Sequence, residues 1–210
     1  MKKVIAVIDH GLGNILSLLN ALDYLQINFK VIKKPNDASE IHKIIIPGVG
    51  AFPEGMRRLK KTGMDKFIIK KANENIPILG ICIGMQMLFS KSYEFEECDG
   101  LNLIEGEVIR LKSKINNKNL LVPVVGWNKN ICNKKNIKND EFKFLDNKYF
   151  YYLHSFHCIP KNNDIVHTFY QRGNENISSL VIKNNIWGAQ FHPEKSSLNG
   201  LNFLKKFIEL

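Results

Sequence analysis

The chain has 210 residues and 44% of them are hydrophobic, so it is long enough to fold as one domain with a substantial core. Its net charge is +10, but the lysines are spread along the sequence and are not interleaved with aromatic residues, so we expect no nucleic-acid partner. The four cysteines lack metal-ligand spacing, the first residues do not form a signal peptide, and no stretch reaches the roughly 20 apolar residues of a membrane span. We therefore expect a cytoplasmic chain with reduced cysteines, no membrane contact, and neither metal nor cofactor.

Strands and helices alternate in the first half of the chain. Short β-rich runs predict strands at residues 4–9, 29–32, 43–46 and 78–81. Apolar residues at helical spacing predict helices at residues 15–25, 55–61 and 64–73, and a further helical pattern follows residue 82. This alternation indicates the α/β class with a doubly wound, mostly parallel sheet.

The second half has a different pattern. Strand-like runs occupy residues 103–112, 120–126, 149–157, 165–171, 179–183 and 186–191. Residues 93–100 form a polar, acidic connection, and residues 131–140 form a loop rich in lysine and asparagine. An amphipathic helix at residues 197–210 closes the chain. We therefore predict one domain over residues 1–210, with extra antiparallel strands in its second half.

The segment Gly80-Ile-Cys82-Ile-Gly84 joins the fourth predicted strand to a helical pattern. This is the cysteine form of a nucleophile elbow, in which a sharp turn presents a reactive side chain above a sheet. The glycines permit tight or left-handed torsions and close approach of neighbouring chain, and the start of a helix favours a thiolate. A lone cysteine on an apolar strand is more often a small core residue, but the paired glycines favour Cys82 as a nucleophile.

A cysteine nucleophile needs a base and a group that orients the base. His192 ends an apolar strand and opens the stretch His192-Pro193-Glu194. Residues i and i+2 of an extended segment lie on one face, so Glu194 would accept a hydrogen bond from the His192 ring. The alternative is a surface His-Pro-Glu at a strand end, but with an elbow elsewhere in the chain the pattern favours a Cys82–His192–Glu194 triad.

The developing oxyanion requires hydrogen-bond donors. The elbow geometry makes the backbone N–H of Ile83, the residue after the nucleophile, one donor. The loop Gly48-Val49-Gly50 follows the third predicted strand, so Val49 and Gly50 are candidates for the second donor. The alternative for this loop is a simple tight turn, although glycines on both sides of Val49 make a peptide flip inexpensive.

GICIGMQ at residues 80–86 and HPE at residues 192–194 resemble the class I, triad-type glutamine amidotransferases. PGVGAF at residues 47–52, GWN at residues 126–128 and HPEKS at residues 192–196 resemble one subfamily, the glutaminase subunits of imidazole glycerol phosphate synthase. The resemblance runs from Asp9 to the C-terminal helix. It implies a flavodoxin-like amidotransferase fold with a nucleophile elbow.

The resemblance also implies an activity. Cys82 would attack the carboxamide carbon of L-glutamine, and the ammonia would pass to a (β/α)8-barrel cyclase that forms a heterodimer with this chain in L-histidine biosynthesis. The positions that match glutamine-binding residues of the family are Gln86, His154, Ser155 and Phe156. By the same analogy, the barrel partner would be contacted by Asn14, Trp127 and Lys195. The alternatives are a first-turn residue covering the elbow for Gln86, a polar strand end for residues 154–156, and a core or rim aromatic for Trp127.

Several positions differ from the usual pattern of this subfamily. His10 stands where tyrosine is usual, Val124-Val125 where His-Met is usual, Phe156 where tyrosine is usual, and Glu96 where glycine is common. A paralogous glutaminase that supplies ammonia to another acceptor, such as an amidino-sugar synthase, would keep the triad and differ at such places. The same fold would also suit a stand-alone thiol hydrolase or a non-enzymatic binding module.

Overall fold

The computed structural model describes residues 4–37, 40–135 and 140–210. The helices of this part are α1 (Leu16–Tyr24), α2 (Phe52–Thr62), α3 (Met64–Asn73), α4 (Ile83–Met87) and α5 (Ser197–Ile208). The strands of the first half are β1 (Val4–Ile8), β2 (Phe29–Ile32), β3 (Ile41–Ile46), β4 (Ile78–Ile81), β5 (Phe89–Ser92) and β6 (Cys98–Asp99). The later strands are β7 (Ile104–Arg110), β8 (Lys114–Ile115), β9 (Lys118–Asn119), β10 (Val124–Lys129), β11 (Ile131–Cys132), β12 (Tyr149–His154), β13 (Phe156–Pro160), β14 (Val166–Arg172), β15 (Glu175–Lys183) and β16 (Ile186–Ala189). Within the described residues, no helix is both long and apolar enough to cross a membrane.

The central sheet has eight strands in the order β11-β14-β15-β16-β4-β3-β1-β2. The pairs from β16 to β2 are all parallel, and the pairs from β11 to β16 are antiparallel. A second sheet has the order β13-β7-β5-β6, and β10 pairs with β12. This architecture confirms the predicted α/β fold, with a parallel centre and antiparallel additions from the second half.

Two hydrophobic clusters cover the two faces of the central sheet. Along β1, Ile5 and Val7 enter one cluster while Ala6 and Ile8 enter the other, as the two-residue period of a strand requires. The first cluster includes residues of α1 and α5, and the second includes residues of α2, α3 and α4. Because both faces are covered, the parallel strands are continuous apolar runs in the sequence.

Several predicted elements differ from the structure. The predicted strand 120–126 begins only at Val124 and continues to Lys129. The predicted strand 149–157 is divided at Ser155, because β12 pairs with β10 while β13 pairs with β7 in another sheet. The helix after the elbow has five residues and ends at Met87, and the apolar residues beyond it belong to β5. Part of the predicted loop 131–140 lies outside the described residues, and its first two residues form β11.

Candidate active site

Cys82 occupies a sharp turn between β4 and α4. Its backbone has φ 53° and ψ −107°, a combination that is costly for a residue with a side chain and that persists only where the surroundings enforce it. The Cys82 N–H donates to the carbonyl of Ala189 at 2.7 Å, and the Cys82 carbonyl accepts from the Gln86 N–H at 3.1 Å. The turn therefore fixes the Cys82 side chain, the predicted nucleophile, at the carboxyl end of β4 where α4 begins.

The two glycines of the elbow allow close packing. A Cβ atom on Gly84 would lie 1.8 Å from the carbonyl oxygen of Ile46 in β3, and one on Gly80 would lie 2.6 Å from the carbonyl carbon of Gly84. Neither glycine has a positive φ, whereas Cys82 does. The close approach, and not a left-handed torsion, is therefore the reason for glycine at these two positions.

The side chains of His192 and Glu194 form a buried pair. The His192 Nδ1 atom lies 2.8 Å from Glu194 Oε1, and the His192 side chain is only 2% exposed. The pair forms through a 3-10 turn at Pro193–Lys195, and not through the fully extended segment that the sequence predicted. The carbonyl of Tyr151 accepts a hydrogen bond from the His192 N–H at 2.8 Å, so the neighbouring strand fixes the position of the ring.

The charge state of His192 depends on three opposing effects. Burial lowers the pKa of His192, but the charge and close contact of a Cys82 thiolate, together with the hydrogen bond and charge of Glu194, outweigh it and raise the pKa to about 10. Among the described residues, His192 Nε2 has no hydrogen-bond partner. The Cys82 Sγ–H donates instead to the carbonyl of Leu153 at 3.5 Å. The second ring nitrogen of His192 thus has Cys82 as its neighbour, and an imidazolium is electrostatically favoured there once Cys82 ionises.

A cleft of about 240 Å³ opens beside the nucleophile. Its lining residues are Gly50, Cys82, Ile83, Gln86, Glu94, Pro123, Leu153, His154, Ser155 and Phe156. The structure therefore brings together the nucleophile, all four predicted glutamine-binding residues, and two of the three residues predicted to form the oxyanion site.

Most polar groups of the predicted glutamine-binding residues already have protein partners. His154 Nδ1 lies 2.8 Å from the carbonyl of Phe156, and the Tyr170 hydroxyl lies 3.0 Å from His154 Nε2. Because a carbonyl only accepts, Nδ1 carries the proton and Nε2 accepts from Tyr170. Burial is the main cause that lowers the pKa of His154 to about 3. The His154 ring is therefore neutral, and both of its nitrogens have hydrogen-bond partners within the protein. It forms part of the cleft wall.

Gln86 and Ser155 keep groups that face the cleft. The Gln86 Nε2 atom donates to the carbonyl of Phe156 at 2.9 Å. Gln86 lines the cleft, and its amide oxygen has no hydrogen-bond partner among the described side-chain contacts. Ser155 is half-buried in the bend between β12 and β13. An acceptor from Gln86 and a hydroxyl from Ser155 are thus available to a small polar ligand.

The residues predicted to form the oxyanion site lie in two different environments. Ile83 is the first residue of α4, so its N–H has no acceptor within the helix. Gly50 lines the cleft and has φ 133°, a torsion that glycine adopts easily. Val49 does not line the cleft, because it packs so closely on Gly13 that a Cβ there would lie 2.6 Å from Val49 Cγ2. The ring of His10 supports the same loop, since its Nε2 lies 2.7 Å from the carbonyl of Pro47.

Glu94 was not predicted from the sequence, yet it lines the cleft. Its Oε2 accepts a hydrogen bond from the Phe52 N–H at the start of α2 at 2.7 Å, and burial raises the pKa of the Glu94 carboxyl. The acidic segment has three glutamates in four residues, and Glu96 and Glu97 are exposed. Nothing in their spacing shows which carboxylate turns inward.

The three residues predicted to meet a partner are all accessible. Trp127 is 50% exposed, and its ring packs edge-on against Tyr151 with 6.1 Å between centroids. The Nζ atom of Lys195 lies 5.8 Å from the centroid of the same Tyr151 ring, so the structure places Trp127 and Lys195 on one surface. Asn14 is exposed and its Oδ1 accepts from the Leu16 N–H at 2.8 Å, which places it at the start of α1.

Comparisons with known proteins agree with this geometry. The family model "Glutamine amidotransferase class-I" matches residues 6–210. The imidazole glycerol phosphate synthase subunit HisH of Lactococcus lactis is 41% identical, and the match covers 100% of this chain and 99% of that protein. The subunit of the same name from Wolinella succinogenes is 38% identical over 99% of this chain and 100% of its own length.

A solved structure entitled "Crystal structure of glutamine amidotransferase" shares the fold, with a TM-score of 0.73 at 17% identity, covering 98% of this chain and 97% of that one. The likeness in fold and the full-length likeness in sequence confirm the resemblance that the motifs indicate. The chain belongs to the class-I glutamine amidotransferases, and within them to the family of the HisH subunit of imidazole glycerol phosphate synthase.

Proposed function

We propose that this chain is the glutaminase subunit of imidazole glycerol phosphate synthase and that residues 1–210 form one catalytic domain. The observation that carries the proposal is the geometry beside the cleft. Cys82 stands on a strained elbow at its edge, while His192 and Glu194 form a buried pair with 2.8 Å between Nδ1 and Oε1. This arrangement provides a nucleophile, an acid–base group and a carboxylate that sets the tautomer of the histidine.

The first half of the reaction forms a thioester. The Cys82 thiolate attacks the carboxamide carbon of glutamine, and the carbonyl oxygen becomes an oxyanion beside the Ile83 N–H and the Val49–Gly50 loop. The protonated His192 then donates its Nε2 proton to the amide nitrogen. The carbon–nitrogen bond breaks, ammonia leaves, and a γ-glutamyl thioester remains on Cys82.

The second half of the reaction returns the enzyme to its starting state. Neutral His192 removes a proton from a water molecule, and the water oxygen attacks the thioester carbon. The carbon–sulfur bond breaks, glutamate is released, and Cys82 again becomes a thiolate beside an imidazolium. Glu194 supports the positive charge that His192 carries at the start and at the end of each cycle.

The cleft suits a small amino acid such as glutamine, which carries an α-ammonium group and an α-carboxylate group. Glu94 places a carboxylate at its wall, which would attract the α-ammonium group of glutamine. Gln86 contributes an amide oxygen and Ser155 a hydroxyl, which would hold the remaining polar groups of the substrate. His154 and Phe156 would shape the wall on which the substrate chain lies.

In the proposed reaction the ammonia is not released to solvent, so a partner protein has to receive it directly. The curated relatives are named as subunits of a synthase, and we propose that the partner of this chain is the (β/α)8-barrel cyclase, bound as a heterodimer in the cytoplasm. Exposed apolar side chains support a partner-binding surface that includes Trp127, with Val125 59% exposed and Leu198 70% exposed. Lys195 and Asn14 supply polar contacts on this surface.

The proposal is tested with the Cys82→Ala variant and the cyclase subunit of the same organism. The native pair is expected to form imidazole glycerol phosphate with either glutamine or ammonium salts as the nitrogen source. The Cys82→Ala pair is expected to lose synthesis from glutamine by more than about a thousandfold, because the covalent step is removed. It should keep synthesis from ammonium salts, because that reaction uses only the cyclase.

One control variant and two contrary results define the outcome. Cys158→Ala removes a buried thiol of β13 that has no part in the proposed chemistry, and its pair should retain both activities. Glutamine-dependent synthesis that survives in the Cys82→Ala pair would contradict the proposal. Failure of the native chain to bind the cyclase, combined with full glutamine hydrolysis in isolation, would instead identify a stand-alone hydrolase or a different acceptor.

A further inference from the structure

Gln190 is a fully buried amide directly behind the nucleophile. It follows β16, its side chain is 0% exposed, and its N–H donates to the carbonyl of Ser179 at 2.8 Å. Burial of a primary amide is costly unless its oxygen and its N–H groups find partners. The hydrogen-bond partners of the Gln190 side chain are Gln86 and Cys82, and they indicate a role in the site.

Both ends of the Gln190 amide contact residues of the site. Its Oε1 accepts a hydrogen bond from Gln86 Nε2 at 3.1 Å, and its Nε2 lies 3.8 Å from the Cys82 sulfur, within hydrogen-bonding range for sulfur. The sulfur in turn donates its own proton to the carbonyl of Leu153 at 3.5 Å. While Cys82 is a thiol, its sulfur thus lies between one acceptor and one donor.

The orientation of the Gln190 amide follows from its neighbours. The carbonyl of Phe156 can only accept, so the Gln86 group 2.9 Å away must be the N–H₂ end of that side chain. The same Nε2 faces Gln190, which must therefore present its oxygen to Gln86. Only the N–H₂ end of Gln190 is left to face Cys82, and the network allows no alternative amide flip.

We propose that Gln190 is a positioning residue for the nucleophile, whose amide N–H groups hold the Cys82 sulfur and stabilise it whenever it carries negative charge. This inference rests on the proposed function of the site. When Cys82 ionises, the sulfur loses the proton that it gave to Leu153 and becomes an acceptor only. Gln190 then offers a donor that is already oriented, on a side chain that cannot rotate without breaking its bond to Gln86.

The same contact favours the release step. In the γ-glutamyl thioester the sulfur is nearly neutral and a poor acceptor, and on hydrolysis it leaves as a thiolate. A donor that strengthens as the charge develops lowers the barrier of that step. Gln190 therefore acts through Cys82, without touching the substrate.

The test is the rate of alkylation of Cys82 by iodoacetamide as a function of pH, followed by mass spectrometry of the peptide that contains Cys82. In the full-length Gln190→Met variant, a side chain of similar size replaces the amide and removes the donor. A hydrogen bond to a charged group of this length corresponds to about a tenfold effect. We expect alkylation at neutral pH to slow about tenfold and its midpoint to move to higher pH. Half-exposed Cys98 in the same chain serves as the internal reference, and its rate should not change.

A matched variant separates positioning from loss of stability. Ser179→Ala deletes a buried hydroxyl on the adjacent strand, which accepts from the Tyr152 hydroxyl at 2.8 Å and does not contact Cys82. It should lower stability but leave the alkylation midpoint of Cys82 at its native value. If Gln190→Met does not fold, Gln190→Glu provides the same readout, because a carboxylate beside the sulfur should move the midpoint further upward.

Assembled with the partner subunit, Gln190→Met should lose about tenfold in kcat for glutamine hydrolysis while KM stays within about twofold. A native midpoint and native kcat in a folded Gln190→Met or Gln190→Glu variant would overturn the inference. A native chain that never hydrolyses glutamine would instead overturn the proposed function. The alkylation profile is measured without glutamine, so the two failures are distinguishable.

Discussion

The Gly84→Ala substitution adds one methyl group to the elbow. The new Cβ would lie 1.8 Å from the carbonyl oxygen and 2.8 Å from the carbonyl carbon of Ile46. Both of these atoms belong to the backbone of β3, which is paired on both sides in the central sheet. No rotamer change relieves the overlap, so α4 must move away from the sheet by more than about 1 Å, since carbon atoms pack at roughly 3.5–4.0 Å.

The free-energy cost follows from two opposing effects. Overpacking of a close-packed interior typically costs about 1–3 kcal/mol, and a backbone collision belongs at the upper end of that range. Alanine recovers about 1 kcal/mol because it forms helices better than glycine. We expect a net loss of about 2 kcal/mol in the free energy of unfolding, which for a protein of this length lowers Tm by about 4–8 °C.

The displacement also affects catalysis, because α4 carries the Ile83 N–H and follows Cys82 directly. A shift of about 1 Å in a reacting group costs on the order of a hundredfold in rate. Urea unfolding and glutamine hydrolysis in the complex measure the two effects. Gly55→Ala in α2 is the matched control, since its new Cβ would lie 2.7 Å from Met87 Sδ, which is near the end of a flexible side chain and can move away. Equal stability and equal activity of the two variants would refute the reasoning.

Two further predictions concern carboxylates of the site. Glu94→Gln should raise KM for glutamine about tenfold or more with a smaller change in kcat, because a charge-assisted contact to the substrate ammonium is lost. Steady-state kinetics measure both constants. The exposed Glu96→Gln variant is the control and should behave as native. Glu194→Gln removes a negative charge that raises the pKa of His192, so the pKa of His192 should fall and the imidazolium should persist over a narrower pH range. Alkylation of Cys82 at neutral pH should then slow, with its midpoint moved to higher pH, and an unchanged profile would show that the carboxylate does not act on the ring.

The sequence was sufficient for the fold because its strands are buried on both faces. Residues 78–81 form β4, as the apolar run predicts. The second half was harder to predict because Ser155 divides one apolar run between two sheets, and no local signal marks a change of sheet. The short α4 was hidden in the same way, since its apolar residues continue without a break into β5.

The candidate site was predictable where chemistry depends on local spacing. The elbow around Cys82 and the His192-Pro193-Glu194 stretch carry such spacing. The structure brings His192 next to Cys82 by pairing β16 with β4, and a 3-10 turn carries Glu194 to the ring. Glu94 and Gln190 reach the site only through tertiary packing. A glutamine in an apolar strand end is a signal that sequence analysis could use, because a buried amide requires partners.

The position of β16 in the sheet has a consequence for the newly made protein. Cys82 is synthesised before half of the chain exists, while His192 and Glu194 lie within the last twenty residues. The two parts meet only when β16 pairs with β4, the contact that joins the two halves of the central sheet. An emerging chain therefore presents Cys82 without its proposed acid–base partner, which reaches the site only when β16 has paired with β4.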